Sequence, residues 1–376
     1  PVNLLKRKSE KMKRDYIWLH FLIVLIISSC SSNSLQMGFG QVSYVNDSLF
    51  VDISASENQF EVVPYDVMGI LDIKIEDSLL FISAKTESTD LVKCFDCRNK
   101  SFVGSFMKKG RGPGEVTGCQ FFDYWRFLND ETGLFMYAKD SGLNLIKIDV
   151  KGSMESGITR FEMYSDSIPD MMSSFYPIDD TTLFVLSLNR NLKSFKRGIW
   201  DVRAKNYSRN FLNELDTFQV SKDDFYSSNL LSSLVGYNKR KDLIVEANVV
   251  MNTIHIYSLD RGDTKKTICL GDEIWRIDEF ERKGERYWIN TFGHIVTRDD
   301  YFAVLYHGLT DEQRSKENGG ASIIYFFDWD GSPLQLVKLP FYSSTFDLDD
   351  SNGFLYALDS ADDCIMRMPF HINQII

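Results

Sequence analysis

The sequence predicts an all-β fold, a six-bladed β-propeller with four antiparallel strands per blade, preceded by a lipoprotein signal peptide. Three observations predict the propeller. An acidic turn followed by an apolar strand recurs six times. A second apolar strand follows each copy at a similar offset, and the step between copies is nearly constant.

The first strand set runs Glu76-Asp77-Ser78-Leu79-Leu80, Asn129-Asp130 to Leu134, Asp179-Asp180 to Leu183, Lys241-Asp242-Leu243, Asp299-Asp300-Tyr301 and Asp349-Asp350 to Leu355. From Leu80 to Leu355 is 275 residues in five steps, or 55 per step. The second set is 91–96, 145–149, 198–201, 254–260, 323–328 and 364–368. Five of these six end on an aspartate entering a turn. Asp149-Val-Lys-Gly152, Asp260-Arg-Gly262 and Asp328-Trp-Asp-Gly331 have the Asp and Gly that suit hairpins. A further apolar segment precedes each pair, as at Ile70–Ile75, and another follows many, as at Phe102–Met107 and Leu334–Leu339. Four short strands at a constant period is the sequence form of a propeller. A β-sandwich lacks a repeated four-strand unit, and the coils of a β-helix are far shorter than 55 residues. The expected blades are 65–120, 121–168, 169–225, 226–285, 286–340 and 341–376. The last is short, so a strand from about 45–63 is expected to complete it and close the ring.

The N-terminal end reads as an export signal. Residues 6–14 are basic, Tyr16–Ile27 is almost wholly apolar and Ser28-Ser29-Cys30 follows. A stretch this short does not comfortably span a bilayer, which takes about 20 residues. Ile27-Ser28-Ser29-Cys30 has the form of a lipobox, so Cys30 is the expected lipidated N-terminus of the mature chain; each buried methylene of an acyl chain contributes roughly 0.8 kcal/mol to anchoring. The domain reading is therefore a signal segment at 1–29, a tether at 30–60 that includes the ring-closing strand, and a propeller at 61–376. Residues 1–11 are read as lying upstream of a true start at Met12. The expected location is the outer membrane, on its periplasmic side or the cell surface, with the membrane as partner through the lipid.

Without residues 1–29 the chain has 36 basic and 51 acidic residues, a formal net charge of −15. An acidic body lacks the basic footprint of nucleic-acid binding. Five cysteines remain after Cys30, an odd and scattered set that is no disulfide framework. Cys94-Phe-Asp-Cys97 has redox or zinc spacing but sits in a strand entering a turn, with no second CxxC and no nearby histidine.

Lys109-Gly110-Arg111-Gly112-Pro113-Gly114-Glu115, together with Ile254-His-Ile-Tyr257 and Phe327-Asp-Trp-Asp-Gly-Ser-Pro333, resembles the TolB-like, NHL-related six-bladed propeller lipoproteins of Bacteroidetes over about residues 60–376. The resemblance implies architecture and location, and no catalytic residues. The 110–114 loop lacks the form of a phosphate-binding loop. Gly110, Gly112, Pro113 and Gly114 are expected to shape a tight blade-to-blade connection, with φ > 0 at Gly112. Arg111 either pins adjacent blades or contacts a ligand.

No GxSxG, HExxH, paired-carboxylate or EF-hand pattern occurs, and no cofactor or metal ligand set is assigned. Calcium in the central channel would leave no linear motif, because its ligands would come from different blades. His255 is expected to pack within a strand, and His294 and His307 have no partner at metal spacing. The long connections 210–226, 272–292 and 306–320 are expected to converge on one face. There Tyr226, Trp275 and Trp288 would form an aromatic platform, with Arg111 and His307 as polar neighbours. The leading functional reading is a membrane-anchored, non-catalytic module that binds a protein or a glycan. The alternative is a propeller enzyme, such as a metal-dependent lactonase or esterase or a glycan lyase, working in the central channel.

Overall fold

The computed structural model describes residues 36–85, 90–141, 144–169, 171–189, 191, 193–210, 214–221, 227–259, 264–316 and 320–372. Residues 1–29, Cys30, Tyr226 and the Asp260-Arg-Gly262 turn lie outside them.

Among the described residues six sheets surround one axis, each with four antiparallel strands, and two of them carry a fifth, parallel strand at the outer edge. The first five blades are 70–108, 119–165, 172–210, 233–270 and 289–338. Their innermost strands are β4 (Ile70–Glu76), β8 (Cys119–Asp130), β12 (Met172–Pro177), β16 (Ser233–Asn238) and β20 (Ile289–Thr297), with β24 (Phe346–Asp349) in the sixth. These six strands touch in a closed cycle. The recurring pairs read from the sequence are the second and third strands of each blade. Each blade is sandwiched between two others, so its middle strands are buried on both faces. Hence Leu243–Asn248 and Thr253–Ser258 read as continuous runs, buried at nearly every position, rather than as alternations. The core is correspondingly divided into six hydrophobic clusters, one in each gap between neighbouring blades.

The ring closes through the N-terminal side, as expected. Strand β3 (Glu61–Val63) pairs antiparallel with β26 (Cys364–Pro369), giving blade six its fourth strand. Two further strands had no sequence signal. β1 (Gln41–Val45) adds parallel to β19 (Lys265–Leu270) of blade four, and β2 (Val51–Ser54) adds parallel to β23 (Pro333–Lys338) of blade five. The stretch read as a tether is thus largely built into the propeller, crossing the outer edges of three blades in turn. Edge pairing uses the backbone, which any side-chain pattern can supply.

Two turn assignments change. Asp149-Val-Lys-Gly152 is not a hairpin: Asp149 caps a short helix, α1 (Val150–Ser156), its Oδ1 accepting from the Gly152 amide at 2.9 Å. The helix packs Met154 over Gly104 of blade one. In the 109–116 loop the left-handed residue is Gly114 (φ 72), not Gly112. Glu115 closes this loop by accepting from the Gly112 amide at 2.8 Å and pairing with Lys108 at 3.3 Å. A side chain at Gly114 would meet Ile158 at 2.5 Å, whereas one at Gly112 would meet only the Glu115 carboxylate, at 3.0 Å. Gly114→Val is therefore expected to cost on the order of 1–3 kcal/mol and Gly112→Val less, compared by thermal melting. Equal melting points would place the conformational demand elsewhere.

Candidate functional site

The acidic turns that mark the repeat do more than separate strands. Each lies where an innermost strand ends, so the fold gathers them around one mouth of the central channel. Turn chemistry sets their shape. Asp77 and Ser78 both take positive φ (50 and 59), a two-residue connection suited to the twist of the flanking strands. Such turns are too short to cover the axis. They leave a cavity of about 1010 Å³, lined by the ends of all six inner strands.

Seven carboxylates line it: Glu76, Asp77, Asp299, Asp300, Asp328, Asp349 and Asp350, against the two cations Lys239 and Arg298. Tyr176, Tyr237, Tyr301 and Phe127 supply aromatic wall. Most of the acids are held by a neighbouring blade or turn. Asn129 Nδ2 donates to Asp77 at 2.6 Å, Asn352 Nδ2 to Asp349 at 2.7 Å, and the Tyr301 hydroxyl to Asp350 at 2.7 Å. Arg240 reaches Asp300, and the Asn238 amide donates to the Asp299 carbonyl at 2.9 Å. The rim is a pre-set array of acceptors, oriented before any ligand arrives.

Below the rim a narrow extension is lined by Lys74, Glu76, Arg126, Tyr176, Arg298 and Asp347, among others. Arg298 Nη2 donates to Asp347 Oδ1 at 2.6 Å and to the Leu348 carbonyl at 2.7 Å. Burial opposes its charge, but Asp347, Tyr301, Glu76 and Asp350 raise its pKa and keep it protonated. Burial pushes the Glu76 carboxyl up to about 7, with Asp347 and Asp77 adding to the rise and Arg298 and Lys74 opposing it. Deeper still, Asp72 is fully buried and accepts from Trp125 Nε1 at 2.7 Å and from the Thr345 hydroxyl, with His294 Nδ1 at 4.0 Å. This group ties blades one, two and six together. No cluster of three or more metal-ligating side chains occurs among the described residues.

The long connections converge at the opposite end of the blades. Ser221 donates to Glu281 through its amide (2.6 Å) and hydroxyl (2.9 Å), and Arg286 pairs with Glu312 at 3.0 Å. Segments 214–221, 272–292 and 306–316 are thereby joined. The aromatic platform does not form as expected, because these connections pack inward. Trp288 is only 8% exposed, lies in the core with Leu215, Ile277 and Phe280, and donates Nε1 to the Phe280 carbonyl at 3.0 Å. Trp275 is half-buried and stacks on Phe280 (5.4 Å, 24°), lining a hollow of about 280 Å³ with Arg276 and Lys283. His307 is half-buried and stacked on Tyr342 at 4.7 Å; burial pushes it down to about 4, so it is neutral at pH 7. Arg111 is exposed at the tip of its own loop. His255 is wholly buried beside Thr267 and pushed down to about 3 by burial. Cys94 and Cys97 are buried, and burial pushes the Cys94 thiol up to about 12, so neither has the low-pKa thiolate that redox chemistry requires.

The mouth residues were the ones missed. Their signal is in plain view: in the sequence the turn acids read as punctuation, and those of blades one, five and six become one charged feature only when their turns are brought round the axis.

A family profile described as TolB-like 6-blade propeller-like matches residues 53–351. Among solved structures, a member of the DUF4221 family from Bacteroides vulgatus superposes with a TM-score of 0.51 at 11% identity, covering 85% of this chain and 99% of that one. A protein of Bacteroides fragilis, named provisionally as exported, gives 0.51 at 12% identity, covering 88% and 100%. At such identities the likeness is one of fold. No curated protein gives a sequence match.

Proposed function

Since the chain belongs to the TolB-like six-blade propellers, with a Bacteroides protein named for export among its structural relatives, we propose that it is a lipid-anchored extracytoplasmic binding module. Its ligand seats in the acidic channel mouth. The anchor is Cys30 and the outer membrane is the proposed location, as the lipobox and basic n-region suggest. Among the described residues no helix is long and apolar enough to cross a membrane. The single observation that carries the binding reading is the 1010 Å³ cavity with seven carboxylates against two cations. A site so charged favours a cationic ligand: an amine, or a lysine- and arginine-rich segment of a protein partner, its aliphatic stems resting on Tyr176, Tyr237 and Tyr301. Titration calorimetry with oligolysine peptides, using the soluble Cys30→Ser protein, tests this. Asp299→Asn/Asp300→Asn is expected to weaken binding at least tenfold while leaving melting nearly unchanged. Equal affinity for oligoglutamate would remove the charge argument.

A pH dependence follows from Glu76. A cationic ligand binds best when Glu76 is ionised, so affinity should rise from pH 6 to pH 8, and Glu76→Gln should flatten that rise. Stability runs the other way. Burial raises Glu76 from 4.5 to about 7, so its penalty is absent below about 4.5 and complete above about 7. Glu76→Gln should therefore melt higher than the parent at pH 8 and equally at pH 4. The enzymatic reading keeps one specific observation, a carboxyl with the proton affinity of a general acid–base beside Arg298. If turnover of any ester or glycan is found, Glu76→Gln should abolish it, a far larger effect than the flattened pH dependence of binding.

A further inference from the structure

We infer that the propeller sits with the face bearing its long connections against the bilayer and its acidic channel mouth turned away from it. The inference rests on the lipid anchor at Cys30 proposed above, and adds an interaction surface and an orientation. Its basis is where the chain enters the folded body. Gln36 bridges to Arg276 and donates Nε2 to the Ile274 carbonyl at 2.9 Å. Met37 and Phe39 are then clamped in the core at 1% and 3% exposure, so the entry point is fixed. The segment 271–288 that receives Gln36 connects the last strand of blade four to the first of blade five. It therefore lies at the end of the blades opposite the turns that form the mouth.

Covalent geometry does the rest. Six residue steps separate Cys30 from Gln36, a reach of at most about 20 Å at full extension. The innermost strand β4, with seven residues, separates the two faces by about 20 Å more. An acylated Cys30 lies at the membrane surface, so the tether reaches from the 274–288 face without strain, whereas the plane of the mouth is met only by a tether fully extended along the side of the blades. That face also carries side chains of the interfacial kind: Tyr287, 55% exposed, and the half-buried Trp275, beside Lys283 and the ion-paired Arg276 and Arg286.

The test uses the acylated full-length protein in vesicles of phosphatidylethanolamine and phosphatidylglycerol carrying a headgroup nitroxide lipid. A fluorophore is placed at Tyr287→Cys or at Ser351→Cys, each with Cys364→Ser to remove the half-buried native thiol. Quenching several-fold stronger at 287 than at 351 is expected. A roughly twenty-residue Gly-Ser insertion before Leu35 should bring the two labels to similar quenching. Equal or reversed quenching with the native tether overturns the orientation, and a difference that survives the insertion overturns the tether as its cause. If the parent does not float with vesicles any better than Cys30→Ser, the anchor itself is wrong and the orientation falls with it.

Discussion

Removing residues 36–63 is expected to leave no folded propeller, although every blade keeps at least three strands. That stretch buries Met37, Phe39, Val45, Phe50, Phe60 and Val63, each at 8% exposure or less. At roughly 1.5–3 kcal/mol per buried side chain, the loss is on the order of 10 kcal/mol, comparable to the entire stability of a typical domain. It also bares three strand edges, β19, β23 and β26, which then become sites for association. Far-UV dichroism and size-exclusion chromatography should show unfolded or aggregated material. A cooperative melt within a few degrees of the parent would mean that the belt is dispensable. Phe60→Ala is the graded version: it empties a site shared with Phe341 (rings 5.2 Å apart) and should cost about 3–5 kcal/mol in a protein that still folds.

Glu246→Ala should be nearly as damaging from a single side chain. Arg197 of blade three is 1% exposed and donates Nε and Nη2 to the two oxygens of Glu246 in blade four, both at 2.7 Å. Its Nη1 donates to Asp216 at 2.7 Å, and the Tyr257 hydroxyl also reaches Glu246. Truncating Glu246 strands a buried guanidinium with half its partners, at a cost of about 3–5 kcal/mol. Arg197→Met/Glu246→Leu removes both fully buried charges and should cost less than the single change, because the one ion that loses its partner, Asp216, is 19% exposed and reaches solvent. Melting temperatures of the single and double variants decide it: an additive double variant would mean that the pair is not coupled. Although burial opposes it, Arg197 holds the Glu246 carboxyl below its ordinary range. The stabilisation from this pair is therefore full at neutral pH and is lost as pH falls through that lowered pKa.

The blade count, strand order and ring closure were legible because they depend on local chemistry repeated in register. Asp-rich turns end strands, apolar runs fill the gaps between blades, and a 55-residue step leaves room for four strands. Asp149 shows where that reading stops. The same Asp-x-x-Gly that makes a hairpin elsewhere caps a helix here, because Met154 finds a place over Gly104 of the neighbouring blade. β1 and β2 were invisible for a related reason: parallel addition at an edge draws on backbone groups and leaves side chains such as Tyr44 and Val51 exposed.

The candidate site divides in the same way. The sequence by itself determined which residues stand at turns and that the long connections meet at one end, since strand order settles both. Only the tertiary structure decided that Trp288 points into the core and that Glu76 lies on a desolvated floor beside Arg298. It also decided that acids scattered across nearly 275 residues share one cavity. Burial and electrostatic coupling depend on distances between segments far apart in the chain, and those distances exist only once the ring has closed.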